Sequence, residues 1–435
     1  MWLTAALALS VSARIDPILM RTPLQGASVG VCIFDEAGNV VYQRNADQRL
    51  TPASNQKILS VAYALAVLGP DYRPVTRFWA TTDGIVVDAP GDPSLTSGRL
   101  AEIGRQLPNA AVVRVRGGFN PGWPPSWEWD DLPHRYAPAI HAFSCDGAAF
   151  ELFVANGQAM PLPPALANVH VRRGATTGEP EFRYNPATGI GYLDGALPRA
   201  RTSVGRFAQP HPPAVATQWL KPGATYVNHT GGLPSFPPTV VHTGPPLSEL
   251  AKDCLEPSDN AYAEHLLLLA ASKEGPLPPG REYEVARQRM QTFYQGTMGL
   301  TNRDFAPYDG SGMSRHNQAT ARTLARVLLW SRRQSWGPVF VTALAESGEG
   351  TLANRLQSVR FTGKTGTLNA VSSLSGYLER PGGKVWTLSL VVNQYVASAS
   401  EIRGIQDDVV RELAEVEEPT AIRVVSQDAL ATSAQ

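Results

Sequence analysis

The order of helix and strand patterns along the chain constrains its fold more than any other sequence feature. Residues 27–42 contain two apolar runs around a Glu-Ala-Gly-Asn turn, which is typical of a β-hairpin, and residues 51–69 have the pattern of a buried helix. Helical periodicity returns after Pro246, and apolar strand patterns return near residue 360. Between them, residues 70–247 contain short β-like runs separated by proline and glycine clusters. The sequence therefore predicts a mixed α/β unit built from both ends of the chain and interrupted by a β-rich insertion of roughly 170 residues.

Charge and composition exclude several classes of protein. The 38 basic residues balance the 38 acidic ones, so no basic excess is present to bind a nucleic acid. The cysteines, Cys32, Cys145 and Cys254, are far apart and form no C-x-x-C pair, and the eight histidines contain no H-x-x-x-H pair. We therefore expect buried free thiols, and we expect neither a metal nor another cofactor.

The first residues of the chain are apolar. Residues 1–13 are too few to span a bilayer, which takes roughly 20 residues, but they resemble the apolar part of a signal peptide. Val11 and Ala13 fit a small-x-small cleavage site, although no Lys or Arg precedes the segment. We expect residues 1–13 to be a signal segment, with an ordinary buried helix as the alternative. No other stretch has the length and apolarity of a membrane span, so none is expected.

Three short motifs carry the strongest functional pattern. Each is weak alone, because a helix start, a helix cap or a turn can have the same residues. The motifs are Ser54-Asn55-Gln56-Lys57, Ser258-Asp259-Asn260 and Lys364-Thr365-Gly366. Together, and in this order, they match the signature of penicillin-recognising serine enzymes.

The first motif suits nucleophilic catalysis. Residues at i and i+3 of a helix share a face, so Ser54 and Lys57 should meet. With Thr51 as the cap and Pro52 as the first helical residue, Ser54 would occupy the third helical position, near free backbone N–H groups. Lys57 must lose its proton to act as a base, which costs about 5 kcal/mol at pH 7 for an unperturbed lysine. Burial and a second cation at Lys364 would both lower the Lys57 pKa.

The chain resembles the class C low-molecular-mass penicillin-binding proteins, the D-alanyl-D-alanine carboxypeptidases and endopeptidases of serine peptidase family S13. The resemblance runs from about residue 27 to residue 395 and rests on short blocks around and between the three motifs. These blocks are TPASNQK, PGDPSL, HTGPPLSEL, SDNAYAEHLL, DGSGMSRHN and KTGTL.

The resemblance implies an α/β (α+β) fold with nested domains. A transpeptidase-like or β-lactamase-like domain, an antiparallel sheet flanked by helices, would comprise residues 14–70 and 247–418. An inserted β-rich domain would comprise residues 71–158 and 222–246, and a third domain, residues 159–221, would be nested within it. Residues 419–435 would form a flexible tail.

The resemblance also implies a role for each motif residue. Ser54 would attack the D-Ala-D-Ala amide with Lys57 as its base. Ser258 would relay a proton to the leaving amine, Asn260 would hold Lys57 and the substrate amide, and Lys364 would tune Ser258.

Four further residues would bind the substrate. Thr365 and Thr367 would contact its terminal carboxylate, and the backbone N–H groups of Ser54 and Thr367 would form the oxyanion hole. Gly366 would make room for the peptide to lie as an added strand. Asp146 would lie near the free amino group of the substrate side chain, with a plain turn aspartate as the alternative.

The implied partners are a peptidoglycan stem peptide as substrate and β-lactams as covalent inhibitors, for an exported, periplasmic or extracytoplasmic enzyme. Carboxypeptidase and endopeptidase activity, and monomer and dimer, stay open. One rival is a phosphate-binding P-loop at residues 358–365, which nearly match G-x-x-x-x-G-K-[ST]. Others are a non-catalytic penicillin-binding scaffold and a β-lactamase of the same superfamily, although lactamases usually lack so large an insertion.

Overall fold

The computed structural model describes residues 2–162, 170–209 and 211–417. The helices are α1 (Trp2–Leu19), α2 (Gln56–Leu68), α3 (Ser97–Arg105), α4 (Pro212–Leu220), α5 (Leu247–Leu255), α6 (Asn260–Ser272), α7 (Glu282–Met298), α8 (Ala321–Arg332), α9 (Gly337–Ala343) and α10 (Ala399–Glu415). The strands are β1 (Ser28–Phe34), β2 (Val40–Arg44), β3 (Arg49–Leu50), β4 (Val75–Thr81), β5 (Gly84–Ala89), β6 (Val112–Gly117), β7 (Ala149–Ala155), β8 (Gln158–Leu162), β9 (His170–Arg173), β10 (Glu181–Asn185), β11 (Ile190–Asp194), β12 (Thr202–Ala208), β13 (Thr225–Asn228), β14 (Val240–Thr243), β15 (Phe305–Ala306), β16 (Gln318–Thr320), β17 (Ala345–Glu346), β18 (Phe361–Leu368), β19 (Val371–Glu379) and β20 (Val385–Asn393).

Strands from both ends of the chain form the main sheet. Its order is β17-β18-β19-β20-β1-β2, and every neighbouring pair is antiparallel. The central strands are buried on both faces, which is why β1 and β20 read as nearly continuous apolar runs. This confirms the predicted antiparallel sheet built from both termini.

Helices cover the two faces of this sheet. On one face α1 and α10 pack with side chains that include Ile15 and Val410. On the other face lies a larger apolar core shared by α2, α5, α6, α7, α8 and α9. In α2 all residues from Gln56 to Leu65 are buried, and the helix ends at Gly69, whose φ is 83°. The predicted buried helix, flanked by layers, is confirmed at this point of the chain.

Helix α1 bears on the predicted signal segment. It runs without a break through Ala13, and Val11 and Ile15 are fully buried in the core beside α10. This packing favours the alternative interpretation of a buried helix, while export itself stays a prediction. Across the described ranges, no helix combines the length and apolarity needed to cross a membrane. The predicted flexible tail, residues 419–435, lies outside the described residues.

The insertion contains separate sheets. A mixed five-stranded sheet has the order β13-β6-β5-β4-β14, and two three-stranded sheets have the orders β12-β7-β8 and β10-β11-β9. Strand β7 pairs with β12 and not with the five-stranded sheet. The chain therefore leaves the five-stranded sheet before residue 149, earlier than the predicted domain boundary at residue 158. The three domains stay a prediction, and this pairing would shift one of their boundaries. Cys32, Cys145 and Cys254 are buried free thiols, as predicted.

Candidate active site

Ser54 lies in a short 3-10 turn, Ala53–Asn55, directly before α2. The prediction that the α-helix starts at Pro52 with Thr51 as its cap is wrong. Ala53 has a φ of 47°, in the left-handed region, so a right-handed helix cannot run through it, and α2 begins only at Gln56. Ser54 therefore precedes the α-helix instead of occupying its third position.

Hydrogen bonds tie this turn to the main sheet. The Asn393 side chain accepts from the Thr51 backbone N–H at 2.7 Å and donates to the Thr51 carbonyl oxygen at 3.0 Å. The Ser373 hydroxyl donates to the Pro52 carbonyl oxygen at 2.7 Å. Because both Asn393 and Ser373 belong to central strands, the sheet holds the backbone on which Ser54 is presented.

Gly366 of β18 packs directly against the same turn. A Cβ atom at Gly366 would lie 2.8 Å from the Ser54 backbone nitrogen, 2.9 Å from the Pro52 carbonyl oxygen and 2.3 Å from the Ser373 Oγ. All three distances are shorter than real Cβ contacts. Gly366 is therefore needed for the close approach of β18 to the Ser54 turn, which the sequence alone does not show. That Gly366 also makes room for a substrate stays a prediction.

Lys57 is fully buried and has three hydrogen-bond partners. Its Nζ lies 2.9 Å from the Ser54 Oγ, 2.6 Å from the Asn260 Oδ1 and 2.9 Å from the Ser311 carbonyl oxygen. A neutral amine has two hydrogens and one lone pair. The two carbonyl oxygens can accept only, so they take both hydrogens, and the lone pair faces the Ser54 hydroxyl. The arrangement suits a base that removes the Ser54 proton.

Burial lowers the pKa of Lys57, and nearby Asp309, Asp259 and Glu264, with Cys254, oppose this effect. Lys364 is also fully buried, and burial followed by the charge of Lys57 lowers its pKa well below the usual value. Burial therefore favours the neutral form of Lys57, and the predicted repulsion between the two lysines lowers the pKa of Lys364.

The second motif forms the start of α6. The Asp259 side chain caps this helix by accepting from the Tyr262 N–H at 3.0 Å, and Asn260 is its first residue. The Asn260 Nδ2 donates to the Tyr136 carbonyl oxygen at 2.8 Å, while its Oδ1 contacts Lys57. Ser258 precedes the cap with a φ of 67°, a conformation that costs energy for a serine.

The third motif lies on β18, inside the sheet. A P-loop needs a loop that leads into a helix, but β18 continues into β19, so the structure contradicts a P-loop at residues 358–365.

The outer edge of β18 is only partly paired. The short strand β17 pairs only with Thr362 and Gly363. In the part of the chain that the structure describes, no strand pairs with the outer edge of β18 from Lys364 onward, which leaves that edge open to an added strand.

A cleft of about 430 Å³ opens over these elements. It brings together four of the predicted site residues, Ser54, Ser258, Asn260 and Thr367. The buried Lys57 and Lys364 do not line it, and neither do Thr365 and Gly366.

Asp146 is not in this cleft. It lines a separate cavity of about 210 Å³, together with Arg135, Arg206 and Asp259. Its Oδ1 accepts from the Ser97 backbone N–H at 3.1 Å, at the first residue of α3. This bond and its φ of 55° agree better with the alternative of a turn aspartate.

Sequence reasoning missed the residues that form the opposite wall of the cleft. From the insertion come Glu128, Asp131 and Tyr136, and Arg315 comes from the loop between β15 and β16. Arg315 pairs with Glu128, and the Tyr136 hydroxyl donates to the Asp131 Oδ1 at 2.8 Å. The acidic and aromatic run WEWDDLPHRY could have identified these residues, since such a run inside an otherwise apolar, proline-rich segment indicates polar side chains with a functional role.

Comparison with known proteins decides the family. The family model for the D-Ala-D-Ala carboxypeptidase 3 (S13) family matches residues 11–181 and 228–416. The chain belongs to this family. Membership confirms the predicted class of enzyme, a serine-type D-alanyl-D-alanine carboxypeptidase.

Individual relatives agree with the family. The chain is 28% identical to a D-alanyl-D-alanine carboxypeptidase of Actinomadura sp. (strain R39), over 92% of this chain and 84% of the relative. It is 22% identical to the D-alanyl-D-alanine carboxypeptidase DacB of Haemophilus influenzae, over 88% of each chain. The crystal structure of penicillin-binding protein 4 from H. influenzae superposes with a TM-score of 0.76 at 18% identity, covering 92% of this chain and 98% of that one. A predatory peptidoglycan endopeptidase from Bdellovibrio bacteriovorus has a TM-score of 0.53 at 14% identity, over 91% and 95% of the two chains. These superpositions confirm the predicted fold.

Proposed function

We propose that this family member cleaves D-Ala-D-Ala peptide bonds of peptidoglycan through an acyl-enzyme on Ser54, with Lys57 as the general base. The observation that carries the proposal is the contact of 2.9 Å between the Lys57 Nζ and the Ser54 Oγ, with both other Lys57 partners being carbonyl oxygens. Lys57 takes the hydroxyl proton as the Ser54 Oγ forms a bond to the substrate carbonyl carbon. The carbon–nitrogen bond then breaks, and water later hydrolyses the ester.

Protonation of the leaving amine needs a second group in the cleft. Ser258 lines the cleft beside Ser54, which supports a relay in which the proton taken by Lys57 reaches the amine through the Ser258 hydroxyl. Burial, followed by the charge of Lys57, lowers the pKa of Lys364, and we assign to Lys364 the tuning of Ser258. The backbone N–H groups of Ser54 and Thr367 are proposed as the oxyanion hole.

The substrate is proposed to lie along the open edge of β18. An extended peptide can add to that edge as a strand, with Thr365 and Thr367 near its terminal carboxylate. On the opposite wall, the half of the cleft formed by the insertion contains two carboxylates, those of Asp131 and Glu128. Arg315 already pairs with Glu128, so Asp131 is the group proposed to attract a cationic diamino-acid end of the stem peptide. In this proposal Asp131 takes the role that the family resemblance implies for Asp146.

Such a substrate lies outside the cytoplasm, so we propose that the protein acts after export, in the periplasm or another extracytoplasmic compartment. β-Lactams would acylate Ser54 in place of the peptide, because their strained amide can enter the same cleft and react with the same hydroxyl. Carboxypeptidase and endopeptidase activities use the same chemistry and differ only in the leaving amine.

Covalent labelling tests the nucleophile. Fluorescent penicillin should label the wild-type protein, and the Ser54→Ala variant should not be labelled, with peptide mapping of the adduct placing it on Ser54. Labelling of the alanine variant would show that another residue is the nucleophile. Release of D-alanine from a D-Ala-D-Ala peptide would distinguish an active enzyme from a non-catalytic scaffold.

A pair of variants tests the substrate side. Asp131→Asn should lower kcat/KM about tenfold for a peptide whose side chain ends in a free amine, since a hydrogen bond to a charged group contributes about 1.5 to 3 kcal/mol. The same peptide with an acetylated amine should show a much smaller loss. Asp146→Asn is the matched control, because its carboxylate lies in the separate cavity. Equal losses for both variants, or for both peptides, would contradict the role of Asp131.

A further inference from the structure

Glu264 is a fully buried carboxylate that the mechanism above does not use. It lies on α6, four residues after Asn260, so the two side chains share one face of the helix. Its Oε2 accepts from the Gly310 backbone N–H at 2.8 Å, and its Oε1 accepts from the Ser311 backbone N–H at 2.8 Å. One carboxylate therefore holds two consecutive peptide groups of the loop between β15 and β16.

This loop contacts the catalytic base. The Ser311 carbonyl oxygen accepts from the Lys57 Nζ at 2.9 Å, and the Ser60 hydroxyl donates to the Gly310 carbonyl oxygen at 2.6 Å. The loop also packs closely on α6, since a Cβ at Gly310 would lie 2.6 Å from the Ala263 carbonyl oxygen. Both carbonyl acceptors of Lys57 thus depend on α6: the amide of Asn260 directly, and Ser311 through Glu264.

We infer that Glu264 is a positioning residue, whose ionised carboxylate fixes the Ser311 carbonyl oxygen so that Lys57 presents its lone pair to Ser54. If the Ser311 carbonyl oxygen turns away, a neutral Lys57 keeps one fixed acceptor, and its second hydrogen competes for the Ser54 Oγ. The inference rests on the proposed role of Lys57 as the base.

The two N–H donors favour the ionised form of the side chain. A carboxylate offers a strong acceptor oxygen to each donor, whereas a glutamine turns its NH2 group toward one of the N–H groups and a protonated carboxyl group offers that N–H only its weaker hydroxyl oxygen. Charged and titratable groups face Glu264 from each surrounding element: Lys57 on α2, Cys254 on α5, Tyr283 on α7 and Asp309 in the loop. Burial and the charge of Asp309 raise the pKa of Glu264 to about 8, and hydrogen bonds from the Ser311 side chain and the two backbone N–H groups oppose this rise.

The test compares Glu264→Gln with the wild type across pH. The readout is the second-order rate constant of acylation by fluorescent penicillin from pH 6 to pH 10. Below about pH 8 both proteins carry a neutral side chain at this position, so their rate constants should be similar. Above it the wild-type carboxylate holds both amides, and the ratio of wild-type to variant rate constants should grow to about tenfold, the size of effect expected for a misplaced catalytic group.

Other results would overturn the inference. A ratio close to one at every pH would show that the carboxylate of Glu264 does not position the Ser311 carbonyl oxygen. A ratio that falls with pH would show that the negative charge acts mainly by raising the Lys57 pKa. A wild-type protein that is not labelled at all would instead refute the proposed function.

Two further variants complete the design. Glu264→Asp keeps an ionisable group but is shorter, so it should lose one amide contact and also react more slowly than the wild type above pH 8. It provides the test if Glu264→Gln does not fold. Asp407→Asn is the matched control. Asp407 lies on α10, away from the cleft, and its buried carboxylate accepts a hydrogen bond from Arg355 at 2.7 Å. It should lower the Tm and leave the acylation rate constant unchanged at every pH.

Discussion

Replacing Gly366 by alanine adds one methyl group at the point where β18 meets the Ser54 turn. The new Cβ would lie 2.8 Å from the Ser54 backbone nitrogen, and ordinary contacts begin at 3.4 Å, so the turn or the strand must move by about 0.6 Å. Gly366 is not among the residues with positive φ, so an alanine strains no backbone angle and acts through its close contacts with the Ser54 turn and Ser373. Overpacking of this kind costs about 1 to 3 kcal/mol of unfolding free energy.

The same displacement should slow catalysis. The Ser54 backbone nitrogen is a proposed donor of the oxyanion hole, and a misplacement of about 1 Å can cost roughly a hundredfold in rate. For a shift of about 0.6 Å, we expect the rate constant of acylation by fluorescent penicillin to fall about 10- to 100-fold. Stopped-flow or gel-based labelling measures it, and thermal denaturation measures the change in stability.

Gly376→Ala is the matched control. A Cβ there would lie 2.3 Å from the Thr362 carbonyl oxygen and 2.6 Å from the Gly363 Cα, so it overpacks the same pair of strands without reaching the Ser54 turn. It should lower the Tm while its acylation rate constant stays close to that of the wild type. If Gly366→Ala reacts as fast as the wild type, or if both variants are slowed equally, Gly366 does not act through the Ser54 turn.

Two other predictions concern strain and buried charge. Ser258→Gly and Ser258→Ala both remove the relay hydroxyl and should slow acylation alike. The glycine variant should be more stable by about 1 kcal/mol in chemical denaturation, since only alanine keeps the cost of a φ of 67°. Equal stability of the two variants would contradict strain at this position. Lys364→Met should slow acylation yet raise the Tm at pH 7, because burial lowers the Lys364 pKa and therefore disfavours folding at a pH where the unfolded chain holds that proton. This gain should shrink as the pH rises toward 10.5, where the unfolded chain also loses that proton, and a lower Tm for the variant at pH 7 would refute it.

Local sequence patterns predicted the parts of the site that depend on local geometry. The i,i+3 spacing of Ser54 and Lys57 brings the two side chains into contact even though the turn before α2 is not α-helical. The Ser-Asp-Asn motif caps a helix because Asp259 has the residue type that caps need. The strand pattern around the third motif also places Lys364 correctly on β18.

Other parts depend on contacts that no local pattern shows. The start of α2 is set by the positive φ of Ala53, whose carbonyl oxygen lies against Gly312, more than 250 residues later. Asp131 and Asp146 are both insertion aspartates at chain turns, and the sequence offers no measure of which one faces Ser54. Tertiary packing decides this, since Asn260 binds the Tyr136 carbonyl and thereby brings the Asp131 segment to the cleft.

The insertion forms one wall of the cleft, and it is also hydrogen-bonded to the loop that contacts Lys57, the proposed base. The Trp127 Nε1 donates to the Asp309 Oδ2 at 2.9 Å, and Asp309 in turn accepts from the Gly312 N–H at 2.7 Å. Asp309 thus fixes one side of the loop whose Ser311 carbonyl binds Lys57. By contrast, the only described hydrogen bond of the Asp131 carboxylate is to the Tyr136 hydroxyl, within the insertion. The proposed selection of the substrate side chain by Asp131 should therefore leave acylation by penicillin unchanged, whereas Trp127 connects the insertion to the loop of Lys57, the proposed base, whatever the substrate.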